Sequence, residues 1–187
     1  RFSSAIWYEA IQSKAIILAG VGGIGSWTAL LLSRLRPLAL FIYDPDTVDV
    51  TNISGQLYSS ADIDRPKVQA MTSMAHNFAN YYAIYALEER FTEHCTPGDI
   101  MICGFDNMEA RTTFFRAWKS RVESKPENER ADCLFIDGRL AAEEFQVLCI
   151  KGDDTYNINR YETEFLFSDE EAEETICSYK QTSFMAN

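Results

Sequence analysis

Ala15-Ile16-Ile17-Leu18-Ala19-Gly20-Val21-Gly22-Gly23-Ile24-Gly25 is the stretch that decides the fold. Ala15 to Ala19 is wholly apolar, which predicts a strand buried on both faces. Glycines follow, and Ser26 to Leu35 then reads as a helix stopped by Pro37. A G-x-G-x-x-G run is weak alone, but between a strand and a helix it predicts a phosphate loop. The glycines permit a tight turn and a close approach of backbone to phosphate. The helix behind them offers free N–H groups and the positive end of its dipole. The competing reading is a glycine-rich turn that holds no ligand.

Outward from that stretch, strand and helix alternate. Leu38 to Tyr43 predicts a second apolar strand ending at Asp44. Pro45 to Ile63 reads as a long polar loop. Asp64-Arg65-Pro66 predicts a helix start with Pro in the first turn. Val68, Met71, Ala75 and Phe78 then recur at helical spacing and predict a buried face. Ile84 to Leu87 and Asp99 to Cys103 predict further strands. Asn107 is placed to cap a helix whose inner face is Met108, Phe115, Trp118 and Val122. After a charged loop from Glu123 to Asp132, Cys133 to Ile136 and Phe145 to Ile150 predict two more strands. The sum is a Rossmann-like α/β fold, a mostly parallel sheet with helices on both faces.

Composition narrows the function. The chain has 187 residues, 47% of them apolar, enough for one domain with its own core. A formal net charge of −11 argues against nucleic acid and anionic membrane surfaces as partners. No apolar run is long enough to span a bilayer, and no secretory signal is visible. The five cysteines are scattered without a C-x-x-C pair, against a disulfide framework or zinc knuckle and for a reducing cytoplasm. Cys103, Cys133 and Cys149 fall on predicted strands and are expected in the core. Tyr81, Tyr82 and Phe78 are expected to pack, and His76 and His94 to occupy a helix face and a loop. Seven acidic residues and no Lys or Arg lie between Tyr161 and Tyr179, predicting a loop or a solvated helix face. The chain begins with Arg1 rather than Met, and we expect it to be part of a longer one.

Asp44 at the end of the second strand is placed to accept hydrogen bonds from ribose hydroxyls, or to cap the loop that follows. With the glycine loop it would serve NAD and ATP equally. Further residues separate them. After Asp44 come Asp46, Val48, Asn52 and Gln56, then Pro66-Lys67, then Asp106-Asn107 with Arg111. This set resembles the ThiF/MoeB/HesA-type adenylyltransferases of the ubiquitin-activating-enzyme superfamily. Their pattern is a glycine loop, D-x-D-x-V-x-x-x-N-L/I-x-R-Q, a P-K pair and D-N-x-x-x-R. The likeness runs from about Arg1 to Ile150.

The resemblance implies ATP-dependent adenylation of the C-terminal glycine of a ubiquitin-like or sulfur-carrier protein, within one domain over residues 1–187. Gly20, Gly22, Gly23, Gly25, Asp44, Asn52, Gln56 and Lys67 would bind the nucleotide. Lys67 would also neutralise charge as pyrophosphate leaves, and Asp106 would act in catalysis by holding Mg²⁺. Without the neighbouring motifs Lys67 reads as a surface lysine and Asp106 as a helix cap. Asn107 and Arg111 are expected to fix local structure. Asp137-Gly138 and Phe145 to Val147 resemble segments that lie near the partner's tail. Cys177 lies where some relatives carry an acyl- or sulfur-transferring cysteine, and is otherwise a structural thiol. A homodimer or heterodimer is implied.

Two positions depart from the pattern. Gly55 stands where relatives carry an arginine, and Ser4 stands where they carry an N-terminal one. These departures keep a second expectation open, a non-catalytic subunit or scaffold. An NAD-dependent oxidoreductase is a third, which would leave Asn52, Lys67 and Asp106 without roles.

Overall fold

A computed structural model describes residues 5–141 and 144–167. Six strands form one sheet in the order β3-β2-β1-β4-β5-β6. They are β1 Ala15–Ala19, β2 Ala39–Tyr43, β3 Ile84–Leu87, β4 Ile100–Cys103, β5 Leu134–Ala141 and β6 Glu144–Lys151. The first five run parallel, and β6 returns antiparallel to β5. The helices are α1 Ile6–Gln12, α2 Gly23–Leu35, α3 Lys67–Ala79, α4 Met108–Glu123 and α5 Thr155–Arg160, the last running into a π-helical turn Tyr161–Phe165.

Alternation along β1 divides the interior into two layers. Ile16 and Leu18 point to a core completed by Ala29 of α2 and by Val68, Met71 and Ala75 of α3. Ile17 and Ala19 point to the other, filled by Phe114, Phe115, Trp118 and Val122 of α4 with Ile158 and Tyr161. Helices therefore cover both faces, as the apolar strands require. The expected fold class is the observed one.

Several expectations are corrected. Helix α2 begins at Gly23, not Ser26, so its first turn is made by the glycine loop itself. The segment 45–63 is not wholly irregular, because 3-10 turns form at Val50–Ser54 and Ser60–Asp62. Another such turn, Glu127–Asp132, lies within the predicted charged loop. Pro66 caps α3 from outside rather than sitting in its first turn. Phe78 and Tyr82 are exposed, while Tyr81 is buried with its hydroxyl bonded to the carbonyls of Pro37 and Ala83. Phe78 lies on the groove between α2 and α3, with Trp27, Leu30 and Met74, outside the core. Cys103 and Cys133 are buried as expected, but Cys149 is exposed. It lies on β6, an edge strand. His76 packs its ring against that of Tyr82 in a tilted arrangement, and His94 is exposed in a loop. Among the described residues no helix is long and apolar enough to cross a membrane.

Candidate functional site

The strand order reverses between β1 and β4, and a cleft of about 1400 Å³ lies at the carboxyl ends of the strands there. Gly20, Gly22, Gly23, Asp44, Asn52, Gln56, Lys67 and Asp106 all line it. The structure thus gathers onto one cleft residues that the sequence spreads over more than eighty positions. Gly25 does not line it. A Cβ on Gly25 would collide with the Gly20 carbonyl, so this glycine brings α2 against the end of β1. Gly20 itself has φ of +85°, and a Cβ there would stand 2.5 Å from the carbonyl oxygen of Gly104. Gly104, after β4, completes the contact and was not singled out in the sequence. Around Gly23, by contrast, there is open space.

Polar side chains hold this loop from both sides. Val21 donates its N–H to Asp44 Oδ2 at 2.8 Å, and its carbonyl accepts from the Tyr58 hydroxyl at 2.6 Å. Ser26 Oγ, buried in the first turns of α2, accepts from the N–H of Leu57. Asp44 Oδ1 accepts from Asp46 N–H at 2.9 Å, so Asp44 does cap the loop that follows it. Burial raises the Asp44 pKa, opposed by the two N–H donors and by Lys67. Each oxygen keeps a lone pair for a hydroxyl donor.

Asp46 and Lys67 are joined twice. The Lys67 N–H donates to the Asp46 carbonyl, and Lys67 Nζ lies 2.9 Å from Asp46 Oδ2. Lys67 is nearly buried, with 8% of its side chain exposed, so it is no ordinary surface lysine. Asn52 closes a capping box with Asp49, its Oδ1 accepting from the Asp49 N–H. Its amide NH₂ remains to donate. Gln56 has a buried Oε1 without a hydrogen-bond partner among the described residues, beside Gly22.

Asp106 is exposed on the opposite wall. Asn107, not Asp106, caps α4, accepting from the Ala110 N–H. Arg111 fixes the approach to Asp106: it donates to the Phe105 carbonyl at 2.5 Å and pairs with the buried carboxylate of Asp137 on β5. Among the described residues Asp106 meets only a long contact, 3.3 Å, from the Asn107 amide. No group of three or more His, Cys, Asp or Glu that could hold a metal occurs among the described residues. One free hard carboxylate facing a phosphate loop fits Mg²⁺, which commonly binds through one or two carboxylates, substrate phosphates and water.

Cys177, Ser4 and Arg1 lie outside the described residues. Sequence reading missed Arg90, Arg139 and Phe167, which also line the cleft. Arg139 had a usable signal, its place beside Gly138 on the strand after Asp106.

A doubly wound sheet with a glycine loop and a polar cleft at its switch point defines a nucleotide-binding class of fold. Comparison with known proteins places it more narrowly. The chain matches the ThiF family over residues 3–180 and belongs to it. It is 28% identical over 123 residues to a ubiquitin-like modifier-activating enzyme 5 from Drosophila willistoni, covering 56% of this chain and 30% of the relative. The chain thus spans under a third of that relative's length. PaaA superposes with a TM-score of 0.68 at 18% identity, covering 96% of this chain and 54% of PaaA. The E. coli tRNA N6-threonylcarbamoyladenosine dehydratase, solved in complex with ATP, superposes with a TM-score of 0.63 at 18% identity, covering 77% of this chain and 58% of that one. Both structures share the fold.

Proposed function

We propose that the cleft binds ATP and that the chain adenylates the C-terminal carboxylate of a ubiquitin-like or sulfur-carrier protein. The observation that carries this reading is that buried Lys67 and exposed Asp106 line one cleft with the glycine loop. An NAD site uses the loop and Asp44 but has no need of either. Asp44 would accept from the ribose hydroxyls. The loop N–H groups, the Asn52 amide and Lys67 would hold the phosphates. A carboxylate oxygen of the partner then forms a bond to the α-phosphorus, the bond to the β-phosphate oxygen breaks, and pyrophosphate leaves with the electron pair. The chain's residues position the reactants and offset charge, and no covalent nucleophile is needed for this step. Asp106 would hold a Mg²⁺ ion, which when bound spreads the phosphate charge. A dimer, in the cytoplasm, belongs to the same reading.

A second reading has a specific observation behind it. Gly55 lines the cleft without a cation, and Asp46 already neutralises Lys67. This favours a non-catalytic subunit that pairs with an active relative. A nucleic-acid substrate, suggested by the name of the tRNA dehydratase, fits poorly with a net charge of −11.

Calorimetric titration tests the nucleotide. MgATP is expected to bind and NAD to leave no signal, with Asp106→Ala lowering the Mg²⁺ dependence of ATP affinity. Tight NAD binding without ATP binding overturns the reading.

A further inference from the structure

Arg139 stands at the β5 end of the cleft in surroundings built to fix it. Its Nε donates to Asp137 Oδ2 at 2.7 Å, and Nη2 donates to the Phe165 carbonyl at 2.7 Å. The Tyr161 hydroxyl, itself donating to Asp137, lies 3.3 Å from Nη2. The rings of Tyr161, Phe165 and Phe167 surround the guanidinium, with centroids 5.6, 5.9 and 5.8 Å away. Only 15% of the side chain is exposed, and Arg139 lines the cleft with Gly138 and Leu140.

Charge and position give this arrangement a use. Asp137 is wholly buried and meets two guanidinium groups, those of Arg111 and Arg139. One carboxylate balances one of them, so the β5 wall keeps a positive charge. On the β2 side Lys67 is already matched by Asp46. The loop after β3 sets Glu89 and Glu93 beside Arg90, which disfavours an approaching carboxylate. Along the carboxyl ends of the strands the order is Asp44 after β2, the glycine loop after β1, Asp106 after β4 and Arg139 on β5. With the nucleoside at Asp44 and the phosphates over the loop, the β5 side remains for the second substrate.

We infer that Arg139 binds the C-terminal carboxylate of the acceptor and presents its oxygen to the α-phosphorus. The inference rests on the adenylation reading. A planar guanidinium held through Nε and Nη2 leaves the two N–H groups of Nη1 for a carboxylate, at little ordering cost. Arg139 stays protonated throughout and takes no part in bond making.

The test uses a short peptide ending in Gly-Gly, as the free acid and as the C-terminal amide. Both are titrated into protein loaded with a non-hydrolysable ATP analogue and Mg²⁺. Wild type is expected to prefer the acid by about tenfold or more, worth about 1.4 kcal/mol. Arg139→Gln is expected to reduce that preference below about twofold while leaving the analogue's affinity within about twofold. Arg139→Lys, which keeps the charge without the planar guanidinium, is expected to fall between them, and thermal melting checks that each variant folds. Analogue binding without acid preference in wild type overturns the role of Arg139 alone. An unchanged preference in the variants overturns it too, as does weakened analogue binding with the preference kept, which would make the anion a phosphate. Failure of wild type to bind the analogue overturns the adenylation reading itself.

Discussion

The N–H of Val21 and the carboxylate of Asp44 meet at 2.8 Å, tying the glycine loop to the end of the neighbouring strand. Asp44 thereby serves two ends, shaping the loop and facing the cleft. Replacing it with Ala orphans the buried N–H of Val21, worth about 1–3 kcal/mol when left unpaired, and releases the N–H of exposed Asp46. We expect Asp44→Ala to lower stability in urea by about that amount and to weaken ATP binding. Asp44→Asn keeps one acceptor and is expected to lose less stability.

The glycines separate into two kinds. Gly25→Ala drives a Cβ into the Gly20 carbonyl, and an overpacked contact of this sort costs about 1–3 kcal/mol. Thermal unfolding is expected to show that loss. Gly23→Ala meets no neighbour, and is expected to melt at or slightly above the wild-type temperature while weakening ATP binding. Equal losses of stability in both variants would contradict the assignment.

Asp137 and Tyr161 form the support for Arg111 and Arg139. Asp137→Ala leaves two guanidinium groups without their buried carboxylate, and breaking such a pair costs about 3–5 kcal/mol. Denaturant unfolding should show it as a lower midpoint at unchanged slope. Tyr161→Phe removes only a hydroxyl, with an expected loss near 1 kcal/mol, as for a typical hydrogen bond.

Acid stability reports on Asp99. Partial burial pushes its carboxyl up, but hydrogen bonds from Lys125 and Arg121 outweigh it and hold the pKa below the ordinary 3.8. A lowered folded pKa stabilises the protein above the unfolded value, and that part is lost as pH falls through the folded one. Wild type is therefore expected to lose stability below pH 3.8 more steeply than Asp99→Asn. Parallel curves for the two would count against the pairing.

Much of this could be read from residue order because the signals were local. Ala15 to Ala19 and Ile84 to Leu87 are short apolar runs, and the strands begin and end there. The start of α2 was misplaced because glycine is a poor helix former, yet here it opens the helix. Phe78 follows the helical period of Ala75 but meets a groove rather than the sheet, which spacing cannot reveal. Cys149 lies on an apolar stretch whose exposure depends on β6 being an edge. Tyr58, Gly104 and Arg139 escaped notice because their partners are distant in sequence: Val21, Gly20 and Tyr161.

Partner-dependent ATP–pyrophosphate exchange tests the adenylation most directly. Candidate carrier proteins ending in Gly-Gly are added to wild type and to Asp106→Ala. The expected result is exchange that requires a carrier with a free C-terminus and falls about a hundredfold or more in the variant, as when a preorganised electrostatic group is removed. Exchange that survives Asp106→Ala would contradict the role given to Asp106. Exchange that appears only when an active relative is added, with this chain alone inert, would contradict catalysis by this chain.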